Sequence, residues 1–153
     1  MKRFYSICIF LLLIGETFTG MAAEWQWSVR IPSMISQETE AHPQAFLWIS
    51  AGCKRVKAVA VGQHNMCEET LFENPVFRRR MQEAGIALVW ITPILDFPWN
   101  VNTGCNDALL TALDSLAETS GYDELKVVPI VPVGHSAMAT FPWNFAAWNP
   151  ERA

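Results

Sequence analysis

The chain is short of positive charge: 11 Lys and Arg stand against 15 Asp and Glu in 153 residues, for a net charge of −4. Nothing in that balance is basic enough to grip nucleic acid, and the acidity is mild. Cysteine is scarce. Beyond Cys8 only Cys53, Cys67 and Cys105 are present, which allows one disulfide at most. His64 and Cys67 have His-x-x-Cys spacing, but no second closely spaced ligand pair follows, so no metal site is expected. No cofactor is called for either. There is no internal repeat, no low-complexity tract and no sign of a second domain. The shortage that matters most is histidine: only His42, His64 and His135 occur, and none follows residue 135.

What is present begins with an address. Lys2 and Arg3 precede an apolar run from Ile7 to Ile14, and Gly20-Met21-Ala22 places small residues at minus three and minus one of a cleavage site. Residues 1–22 therefore read as a secretory signal peptide. An apolar core of about eight to eleven residues is too short for a bilayer of roughly 30 Å. Cys8 lies inside that core, so neither a lipid nor a membrane anchor is expected in the mature form. The expectation is a secreted or periplasmic chain starting near Ala23.

The full sequence is 51% hydrophobic, and its mature part is patterned. Trp25 to Ile31 alternates apolar and polar residues, the period of a half-buried strand ended by Pro32. Ala45 to Ile49 and Lys57 to Val61 read as two further strands, expected to open a sheet with the first. The polar stretch Ser33 to Pro43 suits a hairpin loop. Asn74, Pro75 and Gly85 bracket a helix as N-cap, first residue and C-terminal stop, with Arg78, Arg79 and Arg80 including its solvated face. Ile86 to Ile91 is wholly apolar, as in a parallel sheet covered on both sides. Asp107 to Thr119 carries Leu109, Leu110, Leu113 and Leu116 on one face, with Asn106 as a cap and Gly121 as a stop. Val127 to Val133 is the next strand. Strand, helix, strand and helix in alternation predict an α/β domain with a mostly parallel sheet and flanking helices.

The last strand runs into Gly134-His135-Ser136-Ala137-Met138. A strand, a tight turn with serine at its apex and then a helix is the layout of a nucleophile elbow, whose neighbours at minus two and plus two must be small. Gly134 meets the first requirement; Met138 stands where a second glycine is usual. Ser136 is thus a candidate nucleophile, with an ordinary turn serine as the alternative.

On those residues, and on the Gly62-Gln63-His64-Asn65-Met66 turn after the third strand, the chain resembles the N-terminal part of an α/β-hydrolase, a secreted carboxylesterase-like serine hydrolase. The resemblance spans roughly Trp25 to Arg152 and implies a partial hydrolase domain over residues 23–153. It also implies an oxyanion hole built from the N–H of Ala137 and that of His64 or Asn65. The bland reading of His64 is a loop histidine satisfying local backbone groups. The implied activity is ester hydrolysis through an acyl-serine.

Several features depart from that pattern. Pro129 and Pro132 are unwelcome in a central strand, and Pro142 should kink the following helix or end its first turn. The family's acid and histidine follow the serine along the chain, and neither is found after Ser136 at a usable place. The expectation is a chain truncated after the elbow, its later strands missing, its last strand an unprotected edge, and with little or no activity of its own. Among substrate contacts, Trp99 and Trp143 suit stacking on a sugar or aryl ester, although plain packing is the commoner role, and Asp96 suits a substrate hydroxyl, although turn formation is commoner. A small-molecule or carbohydrate ester is the expected partner. A non-catalytic secreted binding domain and a peptidase of the same fold are the alternatives.

Overall fold

The computed structural model describes residues 25–153; the signal-peptide reading lies outside them. Five strands form one mixed sheet in the order β1-β2-β4-β3-β5: β1 Trp27–Arg30, β2 Gln44–Trp48, β3 Ala58–Gln63, β4 Ile86–Thr92 and β5 Ile130–Val133. Four α-helices flank it: α1 Glu68–Glu73, α2 Pro75–Ala84, α3 Cys105–Ser120 and α4 Thr140–Trp148. The class is α/β, as expected. The sheet is not mostly parallel, however: β1 with β2 and β2 with β4 run antiparallel, whereas β3 runs parallel to β4 and to β5.

Connection content explains the mixture. Parallel neighbours need a crossover of a dozen or more residues, usually a helix. The links from β3 to β4 and from β4 to β5 carry α1 with α2, and α3, respectively, and give the parallel pairs. The links from β1 to β2 and from β2 to β3 carry no helix, so the chain simply reverses. The first three strands therefore do not open the sheet side by side: β1 pairs β2, but β4 inserts between β2 and β3.

Each face of the sheet is covered. On one, Val59, Val61, Val89 and Ile91 pack with the α3 stripe of Leu109, Leu113 and Leu116 and with Phe141 and Phe145 of α4. On the other, Ala60, Leu88 and Trp90 meet Phe72 of α1, with Phe77 and Met81 of α2 against them. The expected solvated arginine face holds for Arg79 and Arg80, which are exposed. Arg78 is different. Its guanidinium lies 5.0 Å from the Trp25 ring and 4.9 Å from the Trp48 ring, and Nε donates to the Phe72 carbonyl at 2.7 Å.

The capping of α2 follows the sequence. The Asn74 side chain accepts from Val76 and Phe77 N–H at 2.9 and 3.1 Å, Pro75 opens the helix, and Gly85 closes it at φ 74°. Asn74→Ala is expected to cost about 1 kcal/mol, because two helix-end donors lose their acceptor; urea unfolding reads it as a lower midpoint at unchanged slope. At α3 the cap differs from expectation. Gly104 at φ 83° precedes the first residue, Cys105, and Asn106 lies inside the helix, pairing its side-chain amide with that of Asn149 at 2.6 and 3.3 Å.

The prolines prove compatible with their places. The last strand is shorter than the apolar run suggested, starting at Ile130 rather than Val127. It pairs only with β3, so it is an edge strand among the described residues. Val59 N–H donates to the Pro129 carbonyl at 3.0 Å, whereas Ile130 N–H donates away from β3, to the Arg152 carbonyl at 2.6 Å. Alternate residues of a parallel strand face one neighbour, so Pro132 faces outward with Ile130 and removes no bond to β3. Pro142 falls in the first turn of α4, where an N–H has no intrahelical acceptor in any case.

Candidate active site

The register of β3 and β5 sets the site. Their parallel pairing ends at Gly62 opposite Val133, so the turns after both strands leave the same edge of the sheet. At the end of β5 the backbone reverses sharply. Ser136 takes φ 53°, the left-handed region that a non-glycine residue enters at a cost of order 1–3 kcal/mol. It is exposed, and it opens a 3-10 turn, Ser136–Ala139, that leads into α4. Gly134 leaves no room for a side chain: a Cβ there would overlap the Met138 carbonyl oxygen, and would lie 2.8 Å from that carbonyl carbon and 3.1 Å from Cδ of Pro142. Met138 fits at plus two by turning inward, 3% exposed, while its N–H donates to the His135 carbonyl at 3.0 Å.

The turn after β3 approaches the elbow directly. Nδ2 of Asn65 donates to the His135 carbonyl at 2.7 Å. His64 is excluded as an oxyanion donor, because its N–H is spent on the Ile91 carbonyl at 2.8 Å. Its Nδ1 lies 2.7 Å from Glu38 Oε1, and Glu38 Oε2 accepts from Ile94 N–H at 3.2 Å. His64 thus pins the Ser33 to Pro43 loop and the β4 exit to the turn. The remaining donors are Asn65, whose N–H has no acceptor among the described residues, and Ala137, second in its 3-10 turn and so without an intrahelical acceptor.

Beside these donors lies a cleft of about 380 Å³ lined by Gln37, Glu38, Asn65, Ile94, Phe97, Ala137 and Met138. The residues expected to contact substrate are elsewhere. Trp99 is buried in the core, its ring 4.3 Å from that of Phe141. Asp96 is buried as well, and its Oδ2 accepts from Asn100 N–H at 2.6 Å: it forms a turn. Trp143 is exposed on α4 and does not line the cleft. Gln63 holds this loop in place, accepting from Leu95 and Asp96 N–H at 3.0 and 3.3 Å and donating to the Asp96 carbonyl at 3.1 Å.

One residue bonded to the elbow escaped sequence reasoning. Glu68, the first residue of α1, is 1% exposed and sits under the elbow. Burial by itself would push its carboxyl up, but hydrogen bonds from His135 N–H, the Asn65 amide and Cys67 N–H outweigh that and hold it below its ordinary value. The sequence reading places no helix here: α1, Glu68–Glu73, is unforeseen.

The thiols take no part. Cys53, Cys67 and Cys105 are free, and burial pushes Cys105 up to about 11, too high for a thiolate at neutral pH. Among the described residues no His, Cys, Asp and Glu form a cluster of three or more able to hold a metal ion, and no helix is long and apolar enough to cross a membrane. Comparison with known proteins is silent: no family model, curated protein or solved structure matches this chain.

Proposed function

We propose that this chain carries the nucleophile elbow and oxyanion hole of an exported serine hydrolase of the α/β-hydrolase type, acting on carboxylic esters. The observation that supports the reading best is Ser136 at φ 53° on the turn after β5, with the Asn65 turn bonded to it. A strained serine between a strand and a helix, facing a second donor turn after β3, is the arrangement such enzymes use. Oγ of Ser136 attacks the ester carbonyl, and the new C–O bond pushes electrons onto the carbonyl oxygen. The N–H groups of Asn65 and Ala137 hold that oxyanion, a contribution of about 3 kcal/mol for each donor. Collapse expels the alcohol, which takes the serine proton by way of a general base, and water then releases the acid.

None of the three histidines is bonded to Ser136. Nδ1 of His42 bonds the Met34 carbonyl at 2.7 Å, and His64 holds Glu38. No general base is assigned among the described residues. The apolar part of the cleft, Ile94, Phe97 and Met138, favours an aryl or short acyl ester over a sugar. Export rests on Lys2, Arg3 and the run to Ile14.

The purified 153-residue chain is expected to hydrolyse p-nitrophenyl acetate no faster than the roughly 10³–10⁴-fold over water that an oxyanion hole and binding supply without a working triad. Steady-state release of nitrophenol measures it. Robust turnover abolished by Ser136→Ala would place a base within the chain and overturn this expectation. The absence of an assigned base favours one second reading, a non-catalytic secreted binding domain. Hydrolysis at the uncatalysed rate, unchanged by Ser136→Ala, is its signature.

A further inference from the structure

We propose that Glu68 is the positioning residue of this site, a buried carboxylate that locks the oxyanion turn after β3 to the elbow after β5. The inference rests on the hydrolase reading of Ser136 and adds a part to it. The ladder between the two strands stops at Gly62 opposite Val133, so it does not reach either oxyanion donor. Asn65 and Ala137 belong to segments far apart in sequence, and the distance between their N–H groups must be set by other bonds.

Glu68 supplies them. Oε1 accepts from His135 N–H at 2.6 Å and from the Asn65 amide at 3.2 Å, while Oε2 accepts from Cys67 N–H at 3.2 Å. The same Asn65 nitrogen donates to the His135 carbonyl at 2.7 Å. Both peptide groups of His135, the one entering it and the one leading to Ser136, are therefore held from the oxyanion turn. Neither can rotate without breaking a bond to Glu68 or Asn65.

The position requires a carboxylate. Three N–H donors converge on it from three residues, and an ionised carboxylate accepts at both oxygens and donates at neither. The bond from His135 N–H, at 2.6 Å, has the short length of a charge-assisted one. Glutamine would turn an NH2 toward one of the donors.

The test follows the backbone amides of ¹⁵N-labelled protein against pH in wild type and Glu68→Gln, together with the rate at which a fluorophosphonate modifies Ser136. In wild type the His135 amide proton is expected far downfield, moving upfield as pH falls through the Glu68 carboxyl, which its hydrogen bonds hold below the ordinary carboxylate value. The labelling rate is expected to fall over the same range. In Glu68→Gln both pH steps vanish and labelling at neutral pH slows about 10²-fold, the loss expected from a misplacement near 1 Å, with the spectrum still dispersed. Should Glu68→Gln fail to fold, the wild-type titration decides alone. A His135 amide indifferent to that titration, or equal labelling of both proteins, overturns the positioning role while leaving Ser136 a nucleophile. A His135 amide that titrates while Ser136 resists labelling in every form overturns the hydrolase reading, and the role of Glu68 falls with it.

Discussion

Gly134→Ala is expected to cost about 3 kcal/mol, the upper end of what over-packing a tight interior does. The added methyl meets no flexible chain end that might swing aside. It meets the Met138 carbonyl oxygen, the carbonyl carbon behind it at 2.8 Å and the Pro142 ring at 3.1 Å, all of them backbone or ring. Relief requires moving the 3-10 turn and the start of α4 away from β5. Met138 N–H would then lose its 3.0 Å bond to the His135 carbonyl, and the Ala137 N–H would leave its place opposite Asn65. Urea unfolding should show a lower midpoint with an unchanged slope, and Ser136 should no longer react with acylating reagents. A cost below about 1 kcal/mol, near the middle of ordinary substitutions, would mean that the elbow is not tightly packed.

The second prediction separates strain from chemistry. Ser136→Gly is expected to stabilise the protein by about 1 kcal/mol, because glycine enters the left-handed region without a steric penalty. Ser136→Ala keeps the strain of φ 53° and is expected to change stability by no more than about 0.5 kcal/mol, as for an exposed position. Both remove Oγ, so both should abolish covalent reaction at this site completely. Paired denaturant curves and labelling assays on the two variants check it. A serine in strained backbone that gains stability when replaced by glycine, at the expense of all reactivity, marks a site selected for function over stability. Equal stability of the glycine and alanine variants would mean that no strain is stored there.

Much of the arrangement was legible because it depends on local chemistry. Asn74, Pro75 and Gly85 fixed α2 through capping and backbone preference, which neighbours in space do not alter. Gly134 and Ser136 could be read because an apolar strand precedes them and a small-residue helix start follows. Strand direction was less accessible. The alternation seen from Ile86 onward implies parallel neighbours, but β2 reverses because its connections carry no helix, and β4 enters the sheet between β2 and β3.

The site residues divide the same way. Ala137 is given by its place after the serine. Choosing between His64 and Asn65 required knowing that β3 stays in register with β4 to its end, which consumes the His64 N–H on Ile91. Trp99 and Asp96 lie in a loop whose composition suits a surface, yet Gln63 draws that loop inward and buries both. Glu68 had no signal at all, since its partner His135 is 67 positions away and only tertiary structure brings them together. Aromatic and acidic residue types pointed to substrate; burial assigned Trp99 to packing and Asp96 to a turn, while Trp143 is exposed away from the cleft.

The central claim is that the elbow presents Ser136 as a nucleophile between two backbone donors. The most direct measurement treats the wild-type chain and Ser136→Ala with a fluorophosphonate and reads the adducts by intact and peptide mass. The account predicts an adduct on the peptide containing Ser136, formed slowly because no base among the described residues takes the serine proton, and none on the alanine variant. An unmodified wild-type chain, or an adduct that survives Ser136→Ala, would contradict it.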